Sequence, residues 1–454
     1  MSQRFDAIIV GAGQAGPSLA GRLTAAGQRV ALVERQLFGG TCVNTGCMPT
    51  KTLIASARAA HVVRRAAEFG VQIAGSLAMD MQMVKARKDK VTLNARQGVE
   101  SWLKGMAGCT VFEGHARFES ARSLRVGDAL LSAERIFLNV GGRASIPDLP
   151  GIDDVPYLTN TSMMALAELP RHLVIVGGSY IGLEFAQMYR RFGSEVTVVE
   201  RGPRLISRED TEVSSAVQAI LEREGIAVHL NADSIRFARR GADIAVGTTA
   251  DAEVVGSHVL VAVGRRPNTD DLALDQAGVA LDARGYIVVN QQLQTNVPGI
   301  YALGDCNGRG AFTHTAYNDF EIVAANLLDG ASRKLSDRID TYALYIDPPL
   351  GRVGLSPAQA RKTGHDVRVG MRPMARVGRA VEKAETDGFM QIVVDAQTQA
   401  ILGATILGVG GDEAIHSILD MMAAKAPYPV LQQAMHIHPT VAELIPTLLG
   451  ELKP

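Results

Sequence analysis

The 454-residue chain is poor in cysteine, with four, poor in tryptophan, with one, and poor in net charge, which is −1. Each scarcity closes a route. Four cysteines in a chain this long are too few for a disulfide scaffold, so those present are available for chemistry. A near-neutral balance offers no electrostatic footprint for nucleic acid or an anionic membrane surface, and no apolar run approaches the roughly 20 residues of a spanning helix. The first apolar strand opens at Phe5, which leaves no room for a cleaved leader. The expectation is a cytoplasmic protein, in a reducing compartment that suits a catalytic thiol pair. By size alone the chain should divide into roughly three or four domains.

What is present is glycine in telling places. Phe5-Asp-Ala-Ile-Ile-Val is an apolar strand running into Gly11-Ala-Gly13-Gln-Ala-Gly16 and then a helix. Such a turn lets the backbone approach a diphosphate at a helix N-terminus, and Glu34, ending the next strand, can accept from a ribose hydroxyl. One fingerprint is weak evidence, but Val174-Ile-Val-Gly177-Gly-Ser-Tyr-Ile-Gly182 repeats it. Gly11, Gly16, Gly27 and Glu34 recur at the same offsets as Gly177, Gly182, Gly193 and Glu200, with Ser179 replacing the middle glycine. The chain therefore carries two dinucleotide-binding units.

Eight residues after Glu34 comes Cys42, separated from Cys47 by four residues. A pair so spaced can close a disulfide across one helical turn, and a dithiol beside a flavin can relay two electrons. Its position assigns FAD to the first unit and NAD(P)H to the second. Glu200 favours NADH by repelling a 2′-phosphate, while Arg201 and Arg204 keep NADPH open.

The run Gly39-Gly-Thr-Cys-Val-Asn-Thr-Gly-Cys-Met-Pro-Thr-Lys51 resembles the active-site segment of the class I pyridine nucleotide-disulfide oxidoreductases. That family includes glutathione reductase, dihydrolipoamide dehydrogenase and mercuric reductase. The resemblance extends to Glu443 and implies an α/β fold with two Rossmann-like domains, for FAD and NAD(P), plus a C-terminal α+β dimerisation domain. It implies that Cys47 lies against the flavin as the charge-transfer thiolate and that Cys42 is the interchange thiol. Lys51 would sit near the flavin and pair with Glu184. His438, in His438-Pro-Thr-Val-Ala-Glu443, would be the acid/base serving the other subunit of a homodimer, with Glu443 orienting its ring. Thr295 to Asp305 resembles the second FAD motif, and Val261 to Asn268 the strand closing the nicotinamide unit. Asn139-Val-Gly-Gly142 departs from the usual Ala-Thr-Gly. Gly11, Gly13, Gly16, Glu34, Gly40, Thr41, Lys51, Ala116, Gly304 and Asp305 are then the flavin-side candidates, and Gly177, Gly182, Glu200 and Gly264 the nicotinamide-side ones.

The implied division is a FAD-binding region with the redox pair over 1–150, an NAD(P)-binding region over 151–270, a return to the FAD region over 271–340 and a dimerisation domain over 341–454. Within it, Thr52 to Phe69 and Met81 to Gly105 read as a helical hairpin. Cys109 and Cys306 read as small buried side chains, with a redox role as the lesser alternative for Cys306 because it directly follows Asp305; Met79, Met81 and Met83 read as packing residues, and His61, His314 and His436 as ordinary surface or core histidines. No metal site is expected.

Substrate is less determined. The phrases Gly-Cys-Met-Pro-Thr-Lys-Thr-Leu, Phe312 to Val323 and Asp347 to Gly354 look most like the bacterial reactive-chlorine-resistance flavoenzyme branch, which implies a small oxidant such as hypothiocyanous acid or Cu²⁺. The C-terminal cysteine pair of mercuric reductase is absent, which disfavours mercury. Dihydrolipoamide dehydrogenase is the runner-up, glutathione reductase comes third, and a flavin-binding nicotinamide sensor without turnover is the alternative of another class.

Overall fold

A computed structural model describes residues 3–454. The strand Ala7–Val10 is buried along its whole length and lies at the centre of a five-stranded parallel sheet. Val30–Glu34 pairs on one side of it and Arg135–Leu138 on the other, with Cys109–Glu113 and Ile300–Ala302 at the edges. The chain thus leaves the central strand in opposite directions, and its C-terminal end is the switch point where such sheets bind ligands.

The second glycine turn repeats the plan. His172–Val176 is flanked by Glu195–Val199 and His258–Val261 in a four-stranded parallel sheet completed by Ala227–His229. Near-continuous Val, Ile and Leu in these strands follows from burial on both faces. Beyond residue 340 the pattern changes to a five-stranded antiparallel sheet, in the order Thr341–Leu344, Leu350–Gly354, Ile401–Leu407, Phe389–Asp395 and Val367–Pro373. The fold is therefore α/β with two dinucleotide-type sheets and a C-terminal antiparallel unit.

The helical hairpin consists of Cys47–Arg64 and Met81–Lys104. The first helix stops before Phe69: Arg65 caps it and Ala66–Phe69 continues as a 3-10 turn. Asp80 caps the second by accepting from the Met83 N–H at 3.0 Å, the side-chain oxygen satisfying one of the free first-turn donors. Met79 and Met81 pack into the core shared with the Tyr180–Phe192 helix, but Met83 is 68% exposed and packs on little. Cys306 is fully buried, whereas Cys109 is only partly so, because its edge strand is covered on one side. No helix among the described residues is long and apolar enough to cross a membrane.

Candidate active site

Both glycine turns owe their residue types to close approach. Gly11 and Gly177 have φ of +106° and +114°, a region that side chains avoid. A Cβ on Gly16 would strike the Gly11 carbonyl oxygen, and one on Gly182 the Gly177 carbonyl oxygen. The third glycine of each turn thus lets the helix sit down on the strand end. Glu34 accepts from the Ala12 N–H at 2.9 Å, and Glu200 accepts from the Gly178 N–H at 2.7 Å. Each carboxylate is anchored over its own turn. Such cradles fit dinucleotide diphosphates, since the glycines let strand, turn and helix N-terminus pack closely enough for backbone N–H groups to face a phosphate.

The first cradle has a floor that the motif did not announce. Asn139 is buried, accepts from the Gly16 N–H at 3.1 Å and donates to the Leu303 carbonyl at 3.0 Å. Its Oδ1 would stand 2.9 Å from a Cβ on Gly13, so this asparagine joins the turn to the segment leading to Gly304 and Asp305. The Gly304 N–H donates to Asp319 at 2.8 Å, and Asp305 pairs with Arg265 at 3.2 Å. Burial pushes the Asp305 carboxyl upward in pKa, which Arg265 partly offsets. Gly264 precedes that arginine with φ +136°. Ala116 begins the strand Ala116–Ser120, buried and paired with Val126.

The thiol segment is drawn to the same turn. Gly39 and Gly40 have positive φ, the Gly39 N–H donates to the Ala12 carbonyl at 2.9 Å, and a Cβ on Gly40 would stand 2.9 Å from the Gly13 Cα. Thr41 and Cys42 follow in the short helix Gly40–Asn44, while Cys47 opens the helix Cys47–Arg64. The two cysteines therefore straddle a helix break rather than one regular turn. The break falls at Gly46, whose φ of −126° and ψ of −119° are not helical, and only glycine fits there because a Cβ would stand 2.8 Å from the Thr41 carbonyl oxygen. Buried Asn44 ties the segment together, donating to the Phe38 and Gly40 carbonyls at 2.9 Å and accepting from Arg96 at 2.7 Å.

Both thiols are free. The Cys42 thiol donates to Cys47, which brings Cys47 down to about 6, and Thr313 and Lys51 lower it further. The same hydrogen bond, with burial and the neighbouring charge, drives Cys42 upward. One sulfur is an anion near neutrality and the other keeps its proton. Thr313 Oγ1 lies 3.2 Å from Cys47 Sγ. Lys51, one turn after Cys47, contacts both Glu184 oxygens at 2.7 and 2.9 Å. Glu184 is 4% exposed and accepts from the Tyr345 N–H at 3.1 Å, and the Tyr345 ring lies 4.5 Å from Lys51 Nζ.

His438 and Glu443 form a separate group. His438 Nδ1 lies 2.9 Å from Glu443 Oε2, with the histidine side chain 79% exposed and the carboxylate 15%. The flanking Met435 and Ile437 are 99% and 80% exposed. No hydrogen bond or ion pair joins His438 to either thiol within one chain, among the described residues. His436 bonds the Ala434 carbonyl at 3.2 Å, and His314 stacks on Phe312 and bonds the Thr341 carbonyl at 2.7 Å. No cluster of three metal-ligating side chains of the His, Cys, Asp and Glu type occurs among the described residues. Asn139, Thr313 and Tyr345 are the residues at this site that motif reading missed.

Residues 5–319 match the family model for pyridine nucleotide-disulphide oxidoreductases, and residues 341–449 match the dimerisation domain of the same family. The chain belongs to that family, as a flavoprotein disulfide oxidoreductase that binds FAD and NAD(P), and its dimerisation domain supports a homodimer. It is 36% identical over 99% of its length, and over all of the relative, to the probable pyridine nucleotide-disulfide oxidoreductase RclA of Escherichia coli strain K12. It is 33% identical to the dihydrolipoyl dehydrogenase of Chlamydia muridarum, covering 98% of this chain and 96% of that one. Among solved structures, the Cu(II) complex of the HOCl-induced flavoprotein disulfide reductase RclA from Escherichia coli matches with a TM-score of 0.91 at 35% identity, covering 99% of each chain. The enzyme class is thus a flavoprotein disulfide reductase of the RclA type.

Proposed function

We propose that this enzyme takes two electrons from NADH and delivers them through Cys42 and Cys47 to a small oxidant, with hypothiocyanous acid or a reactive chlorine species first and Cu²⁺ second. The observation that carries the reading is the geometry at the free thiol pair: Thr313 Oγ1 lies 3.2 Å from Cys47 Sγ and the Lys51–Glu184 pair stands one helical turn on, a setting that draws Cys47 toward the thiolate and Cys42 toward the thiol. When bound, the flavin supplies the hydride chemistry that links a nicotinamide to a dithiol couple. Gly11, Gly13, Gly16, Glu34, Gly40, Thr41, Ala116, Gly304 and Asp305 would hold it, and Lys51, oriented by Glu184, would supply positive charge to it.

Gly177, Gly182, Glu200 and Gly264 take the nicotinamide dinucleotide. Glu200 is fixed by the Gly178 and Gly202 N–H groups at 2.7 and 2.6 Å, in position to accept from a ribose diol. Arg204 is occupied by Thr211 and the Ser207 carbonyl, which leaves a 2′-phosphate less support and favours NADH. The working division of the chain is at 150, 270 and 340.

Cys42 needs a base before it can attack. His438 of the partner subunit takes that proton, with Glu443 holding the ring by its Nδ1. The Cys42 thiolate then attacks the sulfur of hypothiocyanous acid, hydroxide leaves and is protonated by the histidine to water, and Cys47 displaces thiocyanate from Cys42 to close the disulfide. One dithiol is oxidised and one oxidant molecule reduced by two electrons. The copper(II) complex described for the RclA relative supports Cu²⁺ as the second candidate. A lipoyl disulfide is the other reading, favoured by the similarity to dihydrolipoyl dehydrogenase.

Anaerobic NADH addition followed by separate challenge with hypothiocyanous acid, Cu²⁺, lipoamide and Hg²⁺ tests the proposal. A thiolate-to-flavin absorption band that hypothiocyanous acid discharges fastest is the expected result. Reduction without that band, or discharge by lipoamide alone, would refute it.

A further inference from the structure

Two ion clusters join the helix Cys47–Arg64 to the helix Tyr180–Phe192, and they share one spacing. Lys51 meets Glu184, and seven residues further along each helix Arg58 and Arg191 both close on the carboxylate of Asp347. Seven residues are two helical turns, about 10 Å. The helices therefore run in register, with the second cluster setting where the first one falls.

Asp347 belongs to neither helix. It lies between the strands Thr341–Leu344 and Leu350–Gly354 of the antiparallel sheet, and its segment is stitched along the Tyr180–Phe192 helix. The Tyr345 N–H donates to Glu184 at 3.1 Å, the Asp347 N–H to Gln187 at 2.7 Å, and Gln187 returns its amide to the Asp347 carbonyl at 2.8 Å. The Arg191 side chain is 5% exposed and also bonds Glu224 at 2.7 Å, while Arg58 also reaches Glu385 at 2.6 Å. Burial pushes the Asp347 acid up, but the two arginines outweigh it and hold the group ionised.

We propose that Asp347 is a positioning residue for electron entry: by clamping Arg58 and Arg191 it holds Lys51 against Glu184 beside the flavin and ties that contact to the dimerisation domain. The proposal rests on the reading above that Lys51 and Glu184 serve flavin reduction. Without the carboxylate, Arg191 keeps only Glu224 and Arg58 only Glu385, so the one anion that joins both helices to this segment is lost and their register is no longer fixed at this end. A displacement on the order of 1 Å near reacting groups is enough to cost up to a hundredfold in rate.

The test uses the full-length holoenzyme. Asp347→Asn is assayed for bound flavin, dimer mass and the single-turnover rate of flavin reduction by NADH, beside Glu184→Gln and the double variant. The expected result is retained flavin and dimer, reduction slowed about tenfold or more, and a double variant no slower than Glu184→Gln, because both changes act through one pair. Wild-type reduction in Asp347→Asn, or multiplication of the two effects, would overturn the proposal. Should that variant lose its flavin, Arg58→Gln, at a position 40% exposed, carries the same test: slowed reduction supports the clamp, and a wild-type rate overturns it. A Glu184→Gln enzyme as fast as wild type would instead sink the underlying reading of the Lys51–Glu184 pair.

Discussion

Replacing Thr313 with valine removes one hydroxyl from the Cys47 sulfur at nearly constant volume. Thr313 opens the helix Thr313–Leu328, and its Oγ1 stands 3.2 Å from Cys47 Sγ. A hydrogen bond to a charged group is worth about 1.5–3 kcal/mol. Cys47 is an exposed residue of the single chain, so solvent screening brings the figure down to about 1 kcal/mol. One pKa unit corresponds to about 1.4 kcal/mol, so the thiolate midpoint should rise by somewhat under about one unit. The sign follows from the direction of the shift: Cys47 is depressed to about 6, so its anion is present above that pH and disappears as pH falls through it. In Thr313→Val the disappearance begins at higher pH. Titrating the thiolate-to-flavin absorption of the two-electron-reduced enzyme under anaerobic conditions measures this, with Thr313→Ser expected to titrate as wild type. A valine variant whose midpoint is unmoved would refute the assignment of Thr313 as a donor to the thiolate.

Gly16→Ala should yield protein without flavin, because the new Cβ strikes the Gly11 carbonyl oxygen, and visible absorbance of the purified protein checks it. Gly182→Ala should keep flavin and raise KM for NADH by roughly fivefold to a hundredfold, since the matching clash falls on the second turn alone and a forced shift there costs on the order of 1–3 kcal/mol; steady-state kinetics at fixed oxidant reads the effect. Cys42→Ser should keep flavin reduction and lose oxidant turnover, and His438→Gln should lose about a hundredfold in turnover. Mixing those two inactive proteins to form heterodimers should restore activity in one of two sites, because the intact thiols of one subunit then meet the intact histidine of the other. Absence of any recovery in verified heterodimers would place the histidine within its own chain's site.

Much of this enzyme was legible before any coordinates because its cofactor turns and thiol run are local. Gly11, Gly16 and their repeats at Gly177 and Gly182 encode a backbone path over a few residues, and a constant offset to Glu34 and Glu200 makes the duplication visible. Periodicity and spacing left three local details wrong. Periodicity carried the first hairpin helix through to Phe69, yet it ends at Arg64. The spacing suggests one helical turn between the cysteines, yet the backbone at Gly46 is non-helical, with φ −126° and ψ −119°, and the helix restarts at Cys47. Met83 shares its spacing with Met81 but faces solvent, because only one side of its helix has a partner.

By itself, then, the amino-acid order determined the family, the two dinucleotide turns and the candidates Cys42, Cys47, Lys51, Glu184, His438 and Glu443, since short-range backbone geometry and motif spacing are written in consecutive residues. The tertiary structure alone decided that Asn139 floors the first cradle, that Thr313, 266 positions from Cys47, touches its sulfur, and that Asp347 grips Arg58 and Arg191 two turns beyond the Lys51–Glu184 pair. Those contacts depend on how separately folded sheets and helices pack together, and no periodicity along the chain records the distance between residues that only packing brings together.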